Sequence, residues 1–449
     1  MSQDTAGPQT QAPDTGAQTP QDTRPDTDLR QTGSPARAGR ADKGSAMSKL
    51  KMLQPGSTIG IVGGGQLGQM MALSAKYMGF RIGVLDPTPD CPAAQVGDWQ
   101  IVADYDDDAA IRRLAERSDA LTYEFENVDA DALDTVRDIT EIPQGTDLLR
   151  VTQDRIQEKT FINSHGIGTA PWRPVNSIDD LRAAVAELGL PAVLKTTRGG
   201  YDGHGQFVLR TPEDIDIVAT TRPWGPAPAA DSADTAANTA ATQAFAPSIL
   251  EGFVDFAYEA SILVSGNGEQ FVTFPVVRNV HRNNILHMTI APAEHAVDPD
   301  SRLSREARDL ALRLAEGFGL AGTLAIELFV LRDGGVLVNE LAPRPHNSGH
   351  YTIEACSIDQ FEAHIRGIAG WPLPEPRLLS PAVMVNVLGQ HVAPTRALIG
   401  SHPEWFTHDY GKSEVRHDRK MGHITVLTDD TAATAAALEA TGCWDDLRA

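Results

Sequence analysis

Apolar and polar positions follow more than one rhythm along the chain. Between Thr58 and Pro143, short apolar runs alternate with amphipathic stretches. The runs predict strands and the amphipathic stretches predict helices. The predicted strands are TIGIVG, RIGVLD, QIVAD, DALTYEF and DITEIP, and the predicted helices are LGQMMALSAKYMG and AAIRRLAERS. This alternation is typical of a parallel, doubly wound sheet, so we predict a Rossmann-like domain over residues 57–150.

The pattern changes after residue 151. TQDRIQEKTFINSHG predicts a helix, and PAVLKTTRGGYDGHGQFVLR predicts two strands around a glycine-rich loop. SILEGFVDFAYEASILVSGNGEQFVTFPVV predicts antiparallel strands that turn at GNGE. SRLSREARDLALRLAEGFG predicts a helix, GTLAIELFVLRDGGVLVNELAPR a hairpin, and the stretch after Pro372 short strands and a last helix. The chain is therefore predicted to combine α/β and α+β domains.

Two stretches contain almost no large apolar residues. Residues 1–46 are rich in Gln, Thr, Asp, Pro, Gly and Ala and lack the apolar core of a signal peptide. We expect this tail to be disordered, because it cannot bury enough surface to offset its ordering entropy. Met47 is an alternative start. Residues 222–247 have low complexity and predict a surface insertion.

Composition narrows the class of function. The formal net charge of −22 argues against a nucleic-acid partner, since phosphate binding requires basic surface. Three scattered cysteines suit a reducing cytoplasm and offer no zinc site. No apolar run approaches the roughly 20 residues needed to span a bilayer. We expect a cytoplasmic protein without a membrane partner.

A glycine turn near the start of the Rossmann-like domain matches a dinucleotide-binding fingerprint. Gly63, Gly65 and Gly68 stand in GxGxxG spacing after a predicted strand, and Asp86 closes the next strand. The pattern by itself allows NAD.

The hairpin IELFVLRDGGVLVNE carries two glutamates. A two-residue type I′ turn at Asp333-Gly334 places Glu327 directly opposite Glu340, with Cβ atoms ~5 Å apart. A divalent cation would remove their repulsion, and ligation by oxygen favours Mg²⁺ or Mn²⁺. The alternative is two glutamates at a solvated sheet end. By strict alternation Asn339 points to the other face, unless a twist or bulge redirects it.

The segment VLKTTRGGYDGHGQ places Lys195 at the end of a strand, before a loop with several glycines. Such a loop lets backbone N–H groups approach phosphate oxygens, and Lys195 supplies a positive charge. The order strand–loop–strand differs from a Walker A motif and indicates a mobile flap over a nucleotide. A flexible hairpin tip is the alternative. Together with the glutamate pair, the loop predicts bound ATP and magnesium.

Two polar clusters follow the hairpin. Arginine can grip phosphate or carboxylate with two hydrogen bonds, and Asn and Ser add neutral ones. The first cluster contains Arg344, His346, Asn347, Ser348 and His350, and the second contains Lys412, Arg416, Arg419 and Lys420. We interpret them as substrate and phosphate contacts; the alternatives are ordinary loop histidines and a solvated charged turn.

GGGQLG, TYEFENV, GGYDGHGQ, NELAPRPHNSGH and GKSEVRHDRKMGH occur in this order. They resemble the successive signatures of the N5-carboxyaminoimidazole ribonucleotide synthases, which are ATP-grasp carboxylases of purine biosynthesis. The resemblance extends from Thr58 to Leu427. It implies an ATP-grasp domain over residues 151–372, with a flap subdomain at about 170–254, and a small β-rich C-terminal domain over 373–449.

The implied reaction joins ATP, bicarbonate and 5-aminoimidazole ribonucleotide, with carboxyphosphate as intermediate. Implied ATP contacts are Arg155, Lys195, Gly200, Tyr201, Asp202, Gly203, His204, Gly205, Gln206, Glu251, Gly252, Phe253, Val254, Glu259, His281, Asn339 and Glu340. Implied metal ligands are Glu327 and Glu340. Implied ribonucleotide contacts are Gln66, Arg344, His346, Asn347, Ser348, Lys412 and Arg419. Lys195 and His281 would neutralise charge during catalysis, and Tyr201 and Asp202 would handle bicarbonate.

Within this family we expect a homodimer and no NAD. The glycine turn would then serve packing, and the helix after it would favour the substrate's 5′-phosphate. Gln69 departs from the family, which usually has Arg there. The alternatives are a formate-dependent glycinamide ribonucleotide transformylase, an NAD-dependent oxidoreductase and a non-catalytic ATP-binding module.

Overall fold

The computed structural model describes residues 50–200, 205–221 and 246–445. Tyr201, Asp202, Gly203 and His204 lie outside the described residues, and so do the predicted tail and nearly all of the predicted insertion. In the described parts of the chain, no helix is long and apolar enough to cross a membrane.

The first sheet is parallel and has the strand order β3-β2-β1-β4. Its strands are β1 Thr58–Val62, β2 Arg81–Leu85, β3 Trp99–Ile101 and β4 Ala120–Tyr123. The helices of this region are α1 Gln66–Tyr77, α2 Asp108–Ala115, α3 Ala130–Asp134 and α4 Asp147–Thr152. These elements confirm the predicted doubly wound arrangement. The strand predicted for DITEIP was wrong, because only Glu141 makes an isolated bridge there, to Ala120.

The second sheet is antiparallel, with the order β5-β8-β6-β7. Its strands are β5 Trp172–Val175, β6 Ala192–Thr196, β7 Gln206–Leu209 and β8 Ser248–Gly252. The helices α5 Arg155–Ser164, α6 Ile178–Leu188 and α7 Pro212–Thr221 belong to the same stretch. All four strands fall within residues 170–254, the range predicted for a flap subdomain.

The third sheet has nine strands in the order β14-β13-β9-β11-β12-β15-β17-β16, with β10 paired to β9. The first strands are β9 Phe256–Asn267, β10 Phe271–Thr273, β11 Val277–Arg282, β12 Ile285–Ala291, β13 Ala321–Leu331 and β14 Val336–Ala342. The remaining strands are β15 Ala382–Leu388, β16 Phe406–Asp409 and β17 Lys420–Leu427. Strand β15 pairs with β12, so the C-terminal strands extend the same sheet.

Helix α8, Arg302–Phe318, packs on this sheet, and its buried side chains complete the hydrophobic core between helix and sheet. The helix begins at Ser301, whose side chain accepts a hydrogen bond from the Ser304 amide. It ends at Gly319 in the left-handed conformation. Its apolar positions recur every three or four residues and are buried, namely Leu303, Ala307, Leu310, Ala311 and Leu314. The other helices are α9 Thr352–Ala355, α10 Gln360–Ile368, α11 Val392–Leu398 and α12 Thr431–Ala440.

Candidate active site

The hairpin β13–β14 brings the two predicted metal ligands together. Glu327 pairs directly with Glu340. The turn is one residue longer than predicted, because Leu331 N–H donates to the Gly335 carbonyl around a longer loop. A β-bulge between Glu327 and Leu328 offsets the extra residue, so Asn339 and Glu340 both oppose Glu327. The predicted pairing is confirmed, although the predicted two-residue turn was wrong.

The residues of this hairpin fit a divalent cation. Burial, together with the neighbouring carboxylate of Glu340, raises the pKa of Glu327. The side-chain oxygen Oδ1 of Asn339 is buried and has no hydrogen-bond partner among the described residues. Two carboxylates and one amide oxygen form the all-oxygen donor set that Mg²⁺ prefers. Asn339 therefore adds a third candidate ligand, which the sequence had assigned to ATP.

Cationic side chains surround the glutamate hairpin. Arg155 Nη1 lies 3.2 Å from Glu340 Oε2, and Lys195 Nζ lies 2.9 Å from Glu251 Oε2. The sequence reasoning missed Lys159, which is fully buried and donates a 2.9 Å hydrogen bond to the Asn339 carbonyl. Burial acts to raise the pKa of Glu251, but Lys195 and Lys159 outweigh it and lower that pKa to about 2. This cluster can hold several phosphate charges.

The ends of the glycine loop lie beside these cations. Strands β6 and β7 pair Lys195 with Gln206, and the Thr196 amide donates to the Gly205 carbonyl. Gly205 has φ +75°, and a Cβ there would lie 2.7 Å from Thr196 Oγ1. Gly200 lines a gap of about 60 Å³ with Arg155 and Glu340.

Two amides of the predicted adenine hinge are already bonded. Gly252 N–H donates to the Pro171 carbonyl and Phe253 N–H donates to the Pro191 carbonyl. In the described residues, the Val254 amide has no such partner. Of these three amides, only that of Val254 is therefore left to donate a hydrogen bond to an adenine ring.

Glu259 and His281 form a pair on neighbouring strands. His281 Nδ1 lies 2.6 Å from Glu259 Oε2. Burial acts to lower the pKa of His281, but the hydrogen bond to Glu259 and the charges of Glu259 and Glu327 raise it. His281 is therefore held toward its cationic form beside the glutamate hairpin.

A second cavity of about 880 Å³ collects most of the predicted ribonucleotide contacts. The predicted residues in its lining are Gln66, Arg344, Asn347, Lys412 and Arg419. Lys420 and Arg416 add further positive charge to the wall. Burial, together with the charges of Arg419 and Lys420, lowers the pKa of Lys412 to about 8. A cavity with this many cations suits a phosphorylated substrate.

Two carboxylates of the motif TYEFENV also line this cavity, and the sequence reasoning assigned them no role. Glu126 Oε2 lies 2.7 Å from Arg344 Nε. Glu126 and Asn127 line both the large cavity and the small gap beside Arg155. The two sites therefore share a wall. The signal available in the sequence was the position of these residues at the carboxyl end of a parallel strand, where ligands bind in such sheets.

The other carboxylate, Glu124, caps the glycine turn. It accepts hydrogen bonds from the amides of Gly65 and Gly68, and Asp86 accepts one from Gly64. Gly63 has φ +107°, and a Cβ there would lie 2.3 Å from Glu124 Cγ. The chain's own carboxylates occupy the amides that a pyrophosphate would use. The amides of Gly65 and Gly68 are therefore not free to bind the substrate's 5′-phosphate, and the role of the helix start in favouring that phosphate stays a prediction.

His346 and Ser348 lie outside the lining of the large cavity. Ser348 is fully buried and its hydroxyl lies 2.9 Å from His346 Nδ1, which also accepts a 3.3 Å hydrogen bond from the Ser348 amide. His346 Nε2 then faces Glu327 Oε1 at 3.4 Å. Burial, together with Arg344, lowers the pKa of His346 well below its ordinary value, so it is neutral. Ser348 thus orients His346 toward Glu327 of the glutamate hairpin. Gln69 is also absent from the cavity lining among the described residues.

Three family models match successive parts of the chain. They describe a ribonucleotide synthetase preATP-grasp domain at residues 56–153, an ATP-grasp domain at 160–361 and a phosphoribosylaminoimidazole carboxylase C-terminal domain at 382–437. The order agrees with the predicted fold class.

Whole proteins are also similar. The N5-carboxyaminoimidazole ribonucleotide synthase of Bacillus subtilis is 46% identical over 387 residues, which cover 85% of this chain and 94% of the relative. That of Staphylococcus haemolyticus is 40% identical over 397 residues, with 87% and 97% covered.

Solved structures give the same result. An ADP complex of an N5-carboxyaminoimidazole ribonucleotide synthetase superposes with TM-score 0.80 and 44% identity, covering 88% of this chain and 98% of that one. The Aspergillus clavatus synthase in complex with ADP and 5-aminoimidazole ribonucleotide has TM-score 0.75 and 28% identity, with 86% and 98% covered. Taken with the glutamate hairpin and the cation-lined cavity, these likenesses mean that the chain belongs to the N5-carboxyaminoimidazole ribonucleotide synthase family.

Proposed function

We propose that this protein uses ATP and bicarbonate to carboxylate 5-aminoimidazole ribonucleotide, and that it does so in the cytoplasm as a homodimer. The observation that supports this reaction is that Glu126 and Asn127 line both the small gap and the large cavity. This shared wall joins a phosphate-binding gap with Arg155 and Glu340 to a cation-lined cavity large enough for a ribonucleotide.

In the first step, a bicarbonate oxygen attacks the γ-phosphorus of ATP. The bond from that phosphorus to the β-phosphate oxygen breaks, and ADP and carboxyphosphate form. Arg155, Lys195 and Lys159 neutralise the phosphate charge, and His281 contributes through its raised pKa. Glu327, Glu340 and Asn339 would hold Mg²⁺ or Mn²⁺, which supplies further charge neutralisation when bound.

In the second step, the exocyclic amine of the ribonucleotide attacks the carbonyl carbon of carboxyphosphate. The carbon–oxygen bond to phosphate breaks, phosphate leaves, and the amine loses a proton. Lys412, Arg419 and Arg344 would hold the ribonucleotide, and Asn347 and Gln66 would orient it. We assign the handling of bicarbonate to Tyr201 and Asp202, and flap closure to residues 200–206, because water would destroy the intermediate.

The test is ADP release by the purified protein with Mg-ATP and 5-aminoimidazole ribonucleotide, with and without added bicarbonate. Turnover that rises with bicarbonate supports the proposal. A parallel reaction contains glycinamide ribonucleotide and formate. Turnover in that reaction alone would assign the chain to formyl transfer, and no turnover in either would overturn both.

A further inference from the structure

A chain of hydrogen bonds runs behind the large cavity and ends at Asn347. It starts at the backbone of His346, passes through the side chains of Gln360 and His350, and reaches Asn347 Oδ1. Gln360 and His350 are fully buried, and Asn347 lines the cavity. The donor and acceptor at each link follow from the chemistry of the groups.

The His346 backbone fixes the orientation of the Gln360 amide. The His346 N–H lies 2.8 Å from Gln360 Oε1, and the His346 carbonyl lies 2.8 Å from Gln360 Nε2. An N–H can only donate and a carbonyl can only accept, so the amide cannot be flipped without losing both bonds.

The Gln360 amide in turn fixes the tautomer of His350. Gln360 Nε2 lies 3.2 Å from His350 Nδ1, and an amide nitrogen only donates. Nδ1 of His350 must therefore be unprotonated, and the proton of the neutral ring sits on Nε2. Burial lowers the pKa of His350 to about 3, and the ring of His423 stacks on it at 4.6 Å.

The protonated Nε2 of His350 lies 3.1 Å from the Asn347 side chain, so the atom facing it must be the oxygen Oδ1. The Asn347 amide group Nδ2 then points away from His350. In the described residues it makes no hydrogen bond, and Asn347 borders the cavity.

We propose that Gln360 and His350 are positioning residues that make Asn347 present an N–H donor to the ribonucleotide. The site would therefore select a substrate with a hydrogen-bond acceptor at this position, and it would disfavour an analogue that carries a donor there. The identity of the substrate rests on the proposed function, whereas the tautomer of His350 does not.

The first measurement is the tautomer of His350 in the full-length protein without substrate. Nuclear magnetic resonance of isotope-labelled histidine distinguishes a proton on Nε2 from one on Nδ1, and His350→Gln identifies the signal by its loss. A single neutral ring protonated at Nε2 is expected at pH 7. A ring protonated at Nδ1, or a charged ring, would overturn the proposal whatever reaction the protein catalyses.

The second measurement compares two substitutions of His350. His350→Gln keeps an amide donor close to the position of Nε2, whereas His350→Met fills similar space without a donor. We expect His350→Met to raise KM for the ribonucleotide about tenfold, since Asn347 can then turn. His350→Gln should restore most of this loss, and KM for ATP should change less than about twofold in both. An equal loss in the two variants, or no loss in His350→Met, contradicts the positioning role.

Discussion

Glu327 and Glu340 face each other across a hairpin whose loop is one residue longer than a two-residue turn, because a bulge at Asn339 restores their pairing. The bulge does more than correct the register. It places Asn339 next to Glu340 on the strand that faces Glu327, and the buried side-chain oxygen Oδ1 of Asn339 has no hydrogen-bond partner in the described residues. Together with the two carboxylates, this oxygen would suit the divalent cation proposed for the hairpin.

Replacing Asn339 tests this arrangement without removing either carboxylate. Asn339→Ala should raise the Mg²⁺ concentration for half-maximal ATP turnover about tenfold or more, since one oxygen ligand is lost. Asn339→Asp keeps an oxygen ligand, so it should raise the half-maximal Mg²⁺ concentration much less than Asn339→Ala does. Metal titrations of ADP release measure both. Identical metal requirements in wild type and Asn339→Ala would exclude Asn339 as a ligand.

Lys412 should make ribonucleotide binding dependent on pH. Its pKa is lowered to about 8, first by burial and then by Arg419 and Lys420. Below pH 8 the ammonium is charged and attracts the substrate phosphate; above pH 8 that attraction fades. KM for the ribonucleotide should rise up to about fivefold between pH 8 and pH 9, since the charged fraction of Lys412 falls by that factor.

Lys412→Arg provides the control, because an arginine stays charged over this range. Steady-state kinetics at several pH values should give a flat KM for this variant. The same rise above pH 8 in both proteins would show that another group titrates.

The glycine turn should tolerate no side chain at Gly63. A Cβ there would lie 2.3 Å from Glu124 Cγ, and φ is +107°. Gly63→Ala should lower the free energy of unfolding by about 2–5 kcal/mol, from backbone strain and overpacking together. Gly56 is the matched control, since its φ is +94° and nothing lies within 4 Å of its Cβ position.

Gly56→Ala should lower the free energy of unfolding by about 1–3 kcal/mol, from backbone strain alone. Urea unfolding of the two variants separates the contributions. Equal losses would mean that Glu124 can move away from the turn.

The ion pair between Arg344 and Glu126 should contribute more to stability than an exposed pair. Arg344 is 15% exposed and lies 2.7 Å from Glu126, and burial would otherwise disfavour both charges. Glu126→Gln should lower the free energy of unfolding by about 2 kcal/mol, because it leaves Arg344 without its counter-charge.

The exposed pair of Arg332 and Asp255 is the comparison, with both side chains more than half exposed. Asp255→Asn should leave the free energy of unfolding almost unchanged, because solvent screens this pair. Thermal unfolding measures both. If Glu126→Gln destabilises the protein no more than Asp255→Asn does, water in the cavity screens the pair of Arg344 and Glu126.

Local patterns in the sequence were enough to predict most elements. The alternation of apolar residues predicted β1, β2, β4, α1, α2 and the hairpin β13–β14, because each depends on neighbours in sequence. Glu327 and Glu340 were paired correctly because two departures cancelled: the loop has one residue more than predicted, and the bulge at Asn339 takes up that residue. Where the local signal was only apolar composition, as in DITEIP, the predicted strand was wrong.

The sequence by itself therefore determined the order of most elements and the position of the glutamate hairpin, since short-range periodicity and turns control them. Only the tertiary structure decided that Glu124 occupies the glycine turn, that Ser348 orients His346, and that Gln360 and His350 orient Asn347. The tertiary structure also decided that the C-terminal strands extend the large sheet, through the pairing of β15 with β12. Burial and hydrogen bonding between residues distant in sequence set these relationships, and local periodicity carries no record of them.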